Sequence, residues 1–141
     1  MCRMASIATN FNTKIEVSDN KTEYILNIVA SAALCNNIEK IILFGSVLTD
    51  ECTDDSDIDF VVVSKVSKSV LYKDKSYRSF LQDIHKVDDY TQQYDVICVK
   101  GEAELEKKRK KVPLYNEVLT EGKIIYRKVD EKLIPSYNVF C

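Results

Sequence analysis

Two aspartates and a Gly-Ser pair, set between two apolar runs, are the residues of this chain whose types and spacing could do chemistry. Gly45 and Ser46 end the first apolar run, ten residues follow, and Asp57 and Asp59 open the second run. Side chains two positions apart on a β-strand point to the same face, so both carboxylates are predicted to project together. Such a pair at the start of a buried strand is costly unless a cation neutralises it. The expected cation is Mg²⁺, which takes one or two protein carboxylates and completes its shell with water and phosphate oxygens.

The Gly-Ser pair fits a phosphate site beside that metal site. Gly45 permits a sharp turn and a close backbone approach, and Ser46 contributes a hydroxyl and, where a helical turn begins, free N–H groups. Asp95 is a third candidate carboxylate, because it lies near the start of another apolar run predicted to neighbour the aspartate pair. Three carboxylates can hold two metal ions for phosphoryl transfer. We predict that Asp57 and Asp59 bind both metals, and that Asp95 binds the metal nearer the acceptor and is a candidate base.

These motifs resemble the signature of the nucleotidyltransferase superfamily that includes DNA polymerase β, which is Gly-Ser, a spacer and Asp-x-Asp. Residues 44–46 and 56–60 are most similar to those of the minimal nucleotidyltransferases, small bacterial proteins often paired with a helical HEPN-type partner as antitoxin and toxin. The spacer departs from that pattern. Where such proteins carry a small residue, an arginine and a second glycine, this chain has Leu48, Thr49 and Asp50. The departure affects the expected affinity for a triphosphate more than the expected metal binding.

The resemblance implies an enzyme that transfers a nucleoside monophosphate, AMP from ATP, to a hydroxyl acceptor and releases pyrophosphate. Two Mg²⁺ ions are the expected cofactor, and Gly45 and Ser46 are expected to hold the triphosphate. The chain has little room for an acceptor-binding domain, so the acceptor is expected to come from another protein or a second copy. The resemblance implies a tyrosine of a HEPN-type toxin. Two alternatives stay open: modification of an aminoglycoside or lincosamide at a dimer interface, and a degenerate antitoxin that only binds its partner.

The elements that must position these residues follow from the spacing of the apolar residues. Short β-branched runs predict strands at 38–44, 58–63, 94–99 and 123–127, and helical stripes predict helices at 20–36, 77–87, 102–111 and 114–120. Asn20 is the predicted N-cap of the first helix. This alternation predicts an α/β domain, a small mixed β-sheet flanked by helices, which is also the minimal nucleotidyltransferase fold that the resemblance implies. We assign residues 1–19 to an N-terminal extension, 20–128 to the nucleotidyltransferase domain and 129–141 to a C-terminal tail.

The composition predicts an ordinary globular chain. Its 141 residues, 45% of them hydrophobic and 30% charged, match one domain. No apolar stretch reaches the length of a membrane span and the first residues lack the apolar segment of a signal peptide, so a cytoplasmic protein is expected. The net charge of −2 argues against a nucleic-acid partner. Five cysteines without paired metal-ligand spacing argue against a zinc site or a disulfide framework, and Cys35 and Cys98 are predicted to be buried.

Several other polar residues have simpler interpretations than catalysis. Asp54 and Asp55 are rivals for the metal role, but they lie in the predicted spacer loop. Arg78 and His85 share one face of a predicted helix and are similar to an Arg-spacer-His pair of HEPN-type ribonucleases, although the surrounding α/β pattern favours a packed or solvated histidine. The basic run 107–111 follows several glutamates, which favours an exposed, salt-bridged helix over a nucleic-acid site.

Overall fold

The computed structural model describes residues 3–88 and 91–128, which form a four-stranded mixed sheet with helices and a separate two-stranded hairpin. In chain order the strands and helices are β1 (Met4–Ala8), β2 (Lys14–Ser18), α1 (Thr22–Ala32), β3 (Ile38–Phe44), β4 (Ile58–Ser64), α2 (Lys68–Leu71), α3 (Lys75–His85), β5 (Tyr94–Lys100), α4 (Gly101–Arg109), α5 (Pro113–Glu121) and β6 (Lys123–Arg127). The predicted α/β architecture is confirmed. The hairpin β1–β2 and the short helix α2 were not predicted.

The strand order of the larger sheet is β5-β4-β3-β6. β3 pairs antiparallel with both β4 and β6, whereas β4 and β5 are parallel. The parallel pair is joined by a crossover that contains α2 and α3, because parallel strands cannot be joined by a tight hairpin. The carboxylate-bearing starts of β4 and β5 therefore lie at the same end of the sheet, beside the end of β3.

Each face of the sheet buries its own apolar cluster. Ile58 and Phe60 of β4 pack in the cluster that also includes residues of α1 and α3. Val61 and Val63 point to the opposite face and pack with residues of α4 and α5. The period-two alternation predicted for this strand is confirmed, and it places Asp59 on the face of α4 and α5.

The start of α1 differs from the prediction. A 3₁₀ turn over Asp19–Lys21 precedes the helix, and Lys21 rather than Asn20 occupies the N-cap position without a side-chain capping bond. The Asn20 side chain is used elsewhere, because its Nδ2 donates to Asp54 Oδ1 at 3.1 Å and its Oδ1 accepts from Ser18 Oγ. The predicted capping arrangement was therefore wrong, and Asn20 contacts the spacer loop instead.

The hairpin β1–β2 lies in the segment that the sequence assigned to an N-terminal extension. Ile7 and Val17 are buried in the same cluster as α1. The side-chain amide of Asn10 donates to Arg127 O at 2.6 Å, and Arg127 N donates to Asn10 Oδ1 at 3.0 Å, which joins the hairpin to β6. Asn12 in the connecting turn has a φ of 66°, a conformation that asparagine adopts more readily than most residues. The hairpin is thus packed onto the main sheet layer.

Among residues 3–88 and 91–128, no helix is long and apolar enough to cross a membrane. Cys35 and Cys98 are buried free thiols, as predicted, and Cys52 is buried as well. The predicted C-terminal tail, 129–141, lies outside the described residues.

Candidate active site

Three aspartates meet where β4 and β5 begin. Asp57 immediately precedes β4, Asp59 is the second residue of β4, and Asp95 is the second residue of β5. Asp59 stands directly opposite Asp95 in the parallel register, so their side chains share one face of the sheet. The structure therefore places the three carboxylates that the sequence singled out at one end of the sheet.

The carboxylates act on one another electrostatically. Burial raises the pKa of Asp59 to about 6, and the negative charges of Asp95, Asp57 and Glu117 add to the increase. Asp59 is half-buried, whereas Asp57 and Asp95 are exposed. A carboxylate that its surroundings push toward protonation is one whose charged form a bound cation would stabilise.

Glu117 is a fourth carboxylate near this group, and sequence reasoning missed it. It is an exposed residue of α5, next to Val118, which packs in the cluster beneath the aspartate face. On the sequence alone it is one of several glutamates on a polar helix face. Only the packing of α5 against β3 brings its charge close enough to affect Asp59.

Gly45 is required here by both its backbone and its neighbour. Its φ of +82° is a conformation that side chains disfavour. A Cβ atom at this position would lie 2.5 Å from Oδ2 of Asp59, which is closer than non-bonded atoms approach. The glycine therefore lets the end of β3 lie directly against the Asp59 carboxylate.

Ser46 follows in a single 3₁₀ turn, Gly45–Leu48. Its carbonyl oxygen accepts hydrogen bonds from Thr49 N at 2.9 Å and Thr49 Oγ1 at 2.8 Å. Val47 is fully buried and fixes the turn to the core. This single turn begins at Gly45 and extends no further than Leu48.

A cavity of about 840 Å³ opens beside Gly45 and Ser46. It lies between the hairpin, the 3₁₀ turn, α5 and the start of β6, and its size suits a nucleotide. Its charged lining residues are the lysines Lys14 and Lys123 and the glutamates Glu16, Glu51, Glu117 and Glu121. We call this space the Gly-Ser cavity. β2 thus contributes to the site from outside the predicted transferase domain.

The loop before β4 is hydrogen-bonded to a buried lysine, Lys21, which sequence reasoning also missed. Lys21 Nζ donates to Asp54 O at 3.0 Å and to Gln92 Oε1 at 2.5 Å. Gln92 Nε2 in turn donates to Ser56 O at 3.0 Å, and Ile58 N donates to Gln93 O at 3.1 Å. These bonds fix the start of β4 relative to the segment that enters β5. Lys21 therefore positions the loop that precedes Asp57.

The rival acidic residues lie apart from the aspartate group. Asp54 and Asp55 are exposed and line a smaller cavity with residues 91–93. Neither is among the charges that raise the pKa of Asp59. The structure does not bring this pair to the Gly-Ser cavity.

The oxygen-only donor set of the three aspartates suits a hard divalent ion such as Mg²⁺. In the part of the chain that the structure describes, no three His, Cys, Asp or Glu side chains already converge into a metal-binding group. The three aspartates have the right chemical type and lie at the starts of neighbouring strands. To bind an ion, their carboxylate oxygens would have to move closer together.

Residues 23–131 match the family model described as Polymerase beta, Nucleotidyltransferase. The chain belongs to this family. A comparison with curated proteins finds no match. Membership in this nucleotidyltransferase family agrees with the fold and with the reaction class inferred from the Gly-Ser and Asp-x-Asp motifs. The matched segment begins in α1, so the hairpin that borders the Gly-Ser cavity lies outside it.

The structure also shows where the other residues singled out in the sequence of this nucleotidyltransferase lie, namely Arg78, His85 and the basic run 107–111. Arg78 and His85 line a second cavity, of about 530 Å³, whose wall also includes Asp95. The basic run at the end of α4 is salt-bridged as predicted, because Lys108 and Arg109 each lie 3.4 Å from a glutamate one turn earlier.

Proposed function

We propose that this nucleotidyltransferase is a minimal enzyme that transfers AMP from ATP to a hydroxyl of a protein acceptor, with release of pyrophosphate. The observation that carries the proposal is the placement of Asp59 directly opposite Asp95, with Gly45 against the Asp59 carboxylate. A paired carboxylate site bordered by a glycine turn is what a nucleotide and its cations require.

The Gly-Ser cavity is the proposed nucleotide site, with Gly45 and Ser46 next to the triphosphate. Lys14 and Lys123 supply positive charge in place of the arginine that is absent from the spacer of this chain. Both lysines are exposed, and neither forms an ion pair with any residue in 3–88 or 91–128. The glutamates of the same cavity disfavour a bare triphosphate, so we expect the nucleotide to bind as its magnesium complex.

In this proposal Asp57 and Asp59 hold two Mg²⁺ ions and Asp95 holds the one nearer the acceptor. When bound, such ions polarise the attacking hydroxyl and neutralise the triphosphate. In the same proposal, Asp95 receives the proton of the acceptor hydroxyl. The acceptor oxygen bonds to the α-phosphorus, and the bond from that phosphorus to the pyrophosphate oxygen breaks.

The acceptor in the proposal is a tyrosine of a HEPN-type helical partner, which makes the chain the antitoxin of a toxin–antitoxin pair. Two features support a protein acceptor. The motif at 44–46 and 56–60 resembles the minimal nucleotidyltransferases of such pairs, and the face near Asp95 is open to solvent because that aspartate is exposed.

The test is to incubate the purified chain with ATP, Mg²⁺ and a small helical protein encoded beside it. We expect pyrophosphate release and a mass increase of one AMP, or a small multiple, on the partner. The chain carrying Asp57→Asn and Asp59→Asn should bind no ATP and transfer nothing. Calorimetry should show ATP binding that EDTA removes, and equal binding with and without metal would contradict the site.

Two results would reassign the function. Efficient AMP transfer by the isolated chain to an aminoglycoside or lincosamide would make it a drug-modifying enzyme, to which the acidic lining of the Gly-Ser cavity would be suited. Tight binding of the helical partner without any nucleotide transfer would make it an antitoxin that acts by binding only.

A further inference from the structure

The cavity lined by Arg78 and His85 lies beyond β4 from the Gly-Ser cavity, between α3 and the first residues of β5. Its volume is about 530 Å³. Tyr72, Leu81 and Val96 give it an aromatic and aliphatic wall. Asp95 borders this cavity, but the alternation along β5 places its carboxylate on the opposite face from Tyr94 and Val96, together with Asp59. The cavity and the carboxylate therefore lie on the two sides of β5, and a segment bound along the outer edge of this strand can reach both.

The surface that leads to this cavity is strongly basic. Residues 65–78 contain four lysines and one arginine against a single aspartate, which gives a local charge of +4 in a chain whose net charge is −2. All five basic side chains are exposed. None forms an ion pair with any residue that the structure describes.

The one acidic side chain of this stretch is already engaged. Asp74 caps α3 by accepting from Ser76 N at 2.9 Å, and it accepts from Asn37 Nδ2 at 2.8 Å. It is therefore held by neutral donors and forms no ion pair with the neighbouring lysines. The positive charge of the segment remains available to a binding partner.

Apolar groups are exposed within the same basic surface. Val70 is 51% exposed and Tyr72 is 47% exposed, and Lys68 Nζ lies 5.6 Å from the centre of the Tyr72 ring. β5 is the outer strand of the sheet, and no strand among the described residues pairs with its free edge. An extended peptide can form main-chain hydrogen bonds with such an edge.

We propose, on the basis of the proposed function, that residues 65–78 and 94–96 form an acceptor surface that binds an acidic, extended protein segment. Acidic residues of the segment meet the exposed lysines and Arg78, and an apolar side chain enters the cavity. A hydroxyl-bearing residue of the segment that lies across the edge of β5 then faces Asp95. The charge of the acceptor segment is thus the feature that the acceptor surface selects.

A single-stranded nucleic acid is the competing ligand, because basic and aromatic side chains also bind phosphates and bases. The wall of the cavity favours protein, because Leu81, Ile84 and Val96 suit an apolar side chain.

The test measures binding of fluorescent probes to the full chain by anisotropy. The probes are a synthetic peptide with one tyrosine flanked by acidic residues, the same peptide with neutral amides in place of the acids, and a single-stranded oligonucleotide. The test variant carries Lys75→Glu and Arg78→Glu. The matched control carries Lys107→Glu and Lys110→Glu, which reverse two exposed charges on and just after α4. Calorimetry with MgATP on every variant reports the nucleotide site separately.

We expect the acidic peptide to bind the unaltered chain and the control equally, and to bind the test variant at least about tenfold more weakly. Added salt should weaken the binding, because these charges are exposed. Unchanged MgATP binding in all three proteins would show that the loss is local.

Three results would overturn the inference. The neutral peptide could bind as well as the acidic one, the test variant could bind the acidic peptide like the control, or the oligonucleotide could bind this surface while the peptide does not. Each leaves the proposed transfer reaction standing. Absence of MgATP binding to the unaltered chain would instead remove the proposed function, whatever the peptide does.

Discussion

Asp59 bears a negative charge at neutral pH although burial and three neighbouring carboxylates oppose it. Its pKa is about 6 in the folded chain against 3.8 ordinarily, so between these values the folded chain binds more protons than the unfolded chain. The contribution of Asp59 to the free energy of unfolding therefore falls as the pH rises from about 4 to 6. Above about pH 6 the full loss of stability is present. The same charge is what a bound cation would stabilise.

Asp59→Asn should consequently raise the free energy of unfolding at pH 7.5 by about 1 kcal/mol in EDTA, a figure reduced for solvent screening of a half-exposed group. The gain should vanish near pH 4, where the native aspartate is protonated. Urea unfolding at both pH values checks this, with the exposed Asp55→Asn as control. A pH-independent effect of Asp59→Asn would show that the pKa of Asp59 is not raised in the folded chain.

Gly45 offers a comparison that separates backbone strain from contact. Gly45→Ala should destabilise by more than Gly101→Ala, because both glycines have positive φ but only Gly45 has a neighbour in the path of the new Cβ. The backbone term alone is about 1–2 kcal/mol. Urea unfolding measures both variants, and the difference should shrink in an Asp59→Ala background. Equal losses of stability in the two variants would mean that the Asp59 side chain moves away from the new Cβ at no cost in free energy.

Asp95→Asn should leave MgATP affinity nearly unchanged and lower the transfer rate by several orders of magnitude, since only the acceptor-side ion loses a ligand. Calorimetry and pyrophosphate release measure the two effects separately. Transfer at the unaltered rate would show that Asp95 is not a ligand of the acceptor-side ion.

At the scale of elements, the sequence predicted what depends on local pattern. The strands β3 and β6 have the predicted bounds, because each is an apolar β-branched run stopped by glycine or by charge. The alternation of β4 and β5 correctly placed Asp59 and Asp95 on one face. Polar residues brought in by tertiary packing, such as Glu117 and Lys21, carry no such pattern. The hairpin was missed because its anchor is the distant Arg127, which no local pattern indicates.

The hairpin and β6 lead to a prediction for the nucleotide site. Lys14→Gln combined with Lys123→Gln should weaken MgATP binding about tenfold while AMP binding changes little, because each lost charge faces the triphosphate in the proposed site. Calorimetry with both nucleotides checks this, and Lys107→Gln with Lys110→Gln is the matched control. An equal loss for AMP and ATP would indicate a structural effect rather than lost phosphate contacts.

At the scale of the whole molecule, two cavities flank one row of carboxylates. The Gly-Ser cavity lies beside β3 and β6, and the acceptor surface lies along β5, with β4 between them. In the proposed reaction the nucleotide and the acceptor thus approach from opposite sides, and the donor side is complete within one chain. The acceptor side is a surface rather than an enclosed site, so activity should depend on a partner.

With ATP and Mg²⁺ alone, the purified chain should therefore hydrolyse ATP slowly or label itself. Tyr72 is the expected site, because it is exposed and shares a cavity wall with Asp95. Intact-mass measurement and peptide mapping should locate the AMP, and Tyr72→Phe should remove it while Tyr115→Phe does not. Labelling that persists in Tyr72→Phe would place the accessible hydroxyl elsewhere.

The pairing of β3 with both β4 and β6 has a consequence for the order of folding. The strands that carry the three aspartates are complete once residue 100 has been synthesised, whereas the Gly-Ser cavity also needs Lys123 of β6 and the hairpin that is bonded to Arg127. Contacts between such distant segments form late, because the loop between them must close first. On the ribosome, the carboxylate-bearing strands can therefore pair before the space proposed for the nucleotide exists.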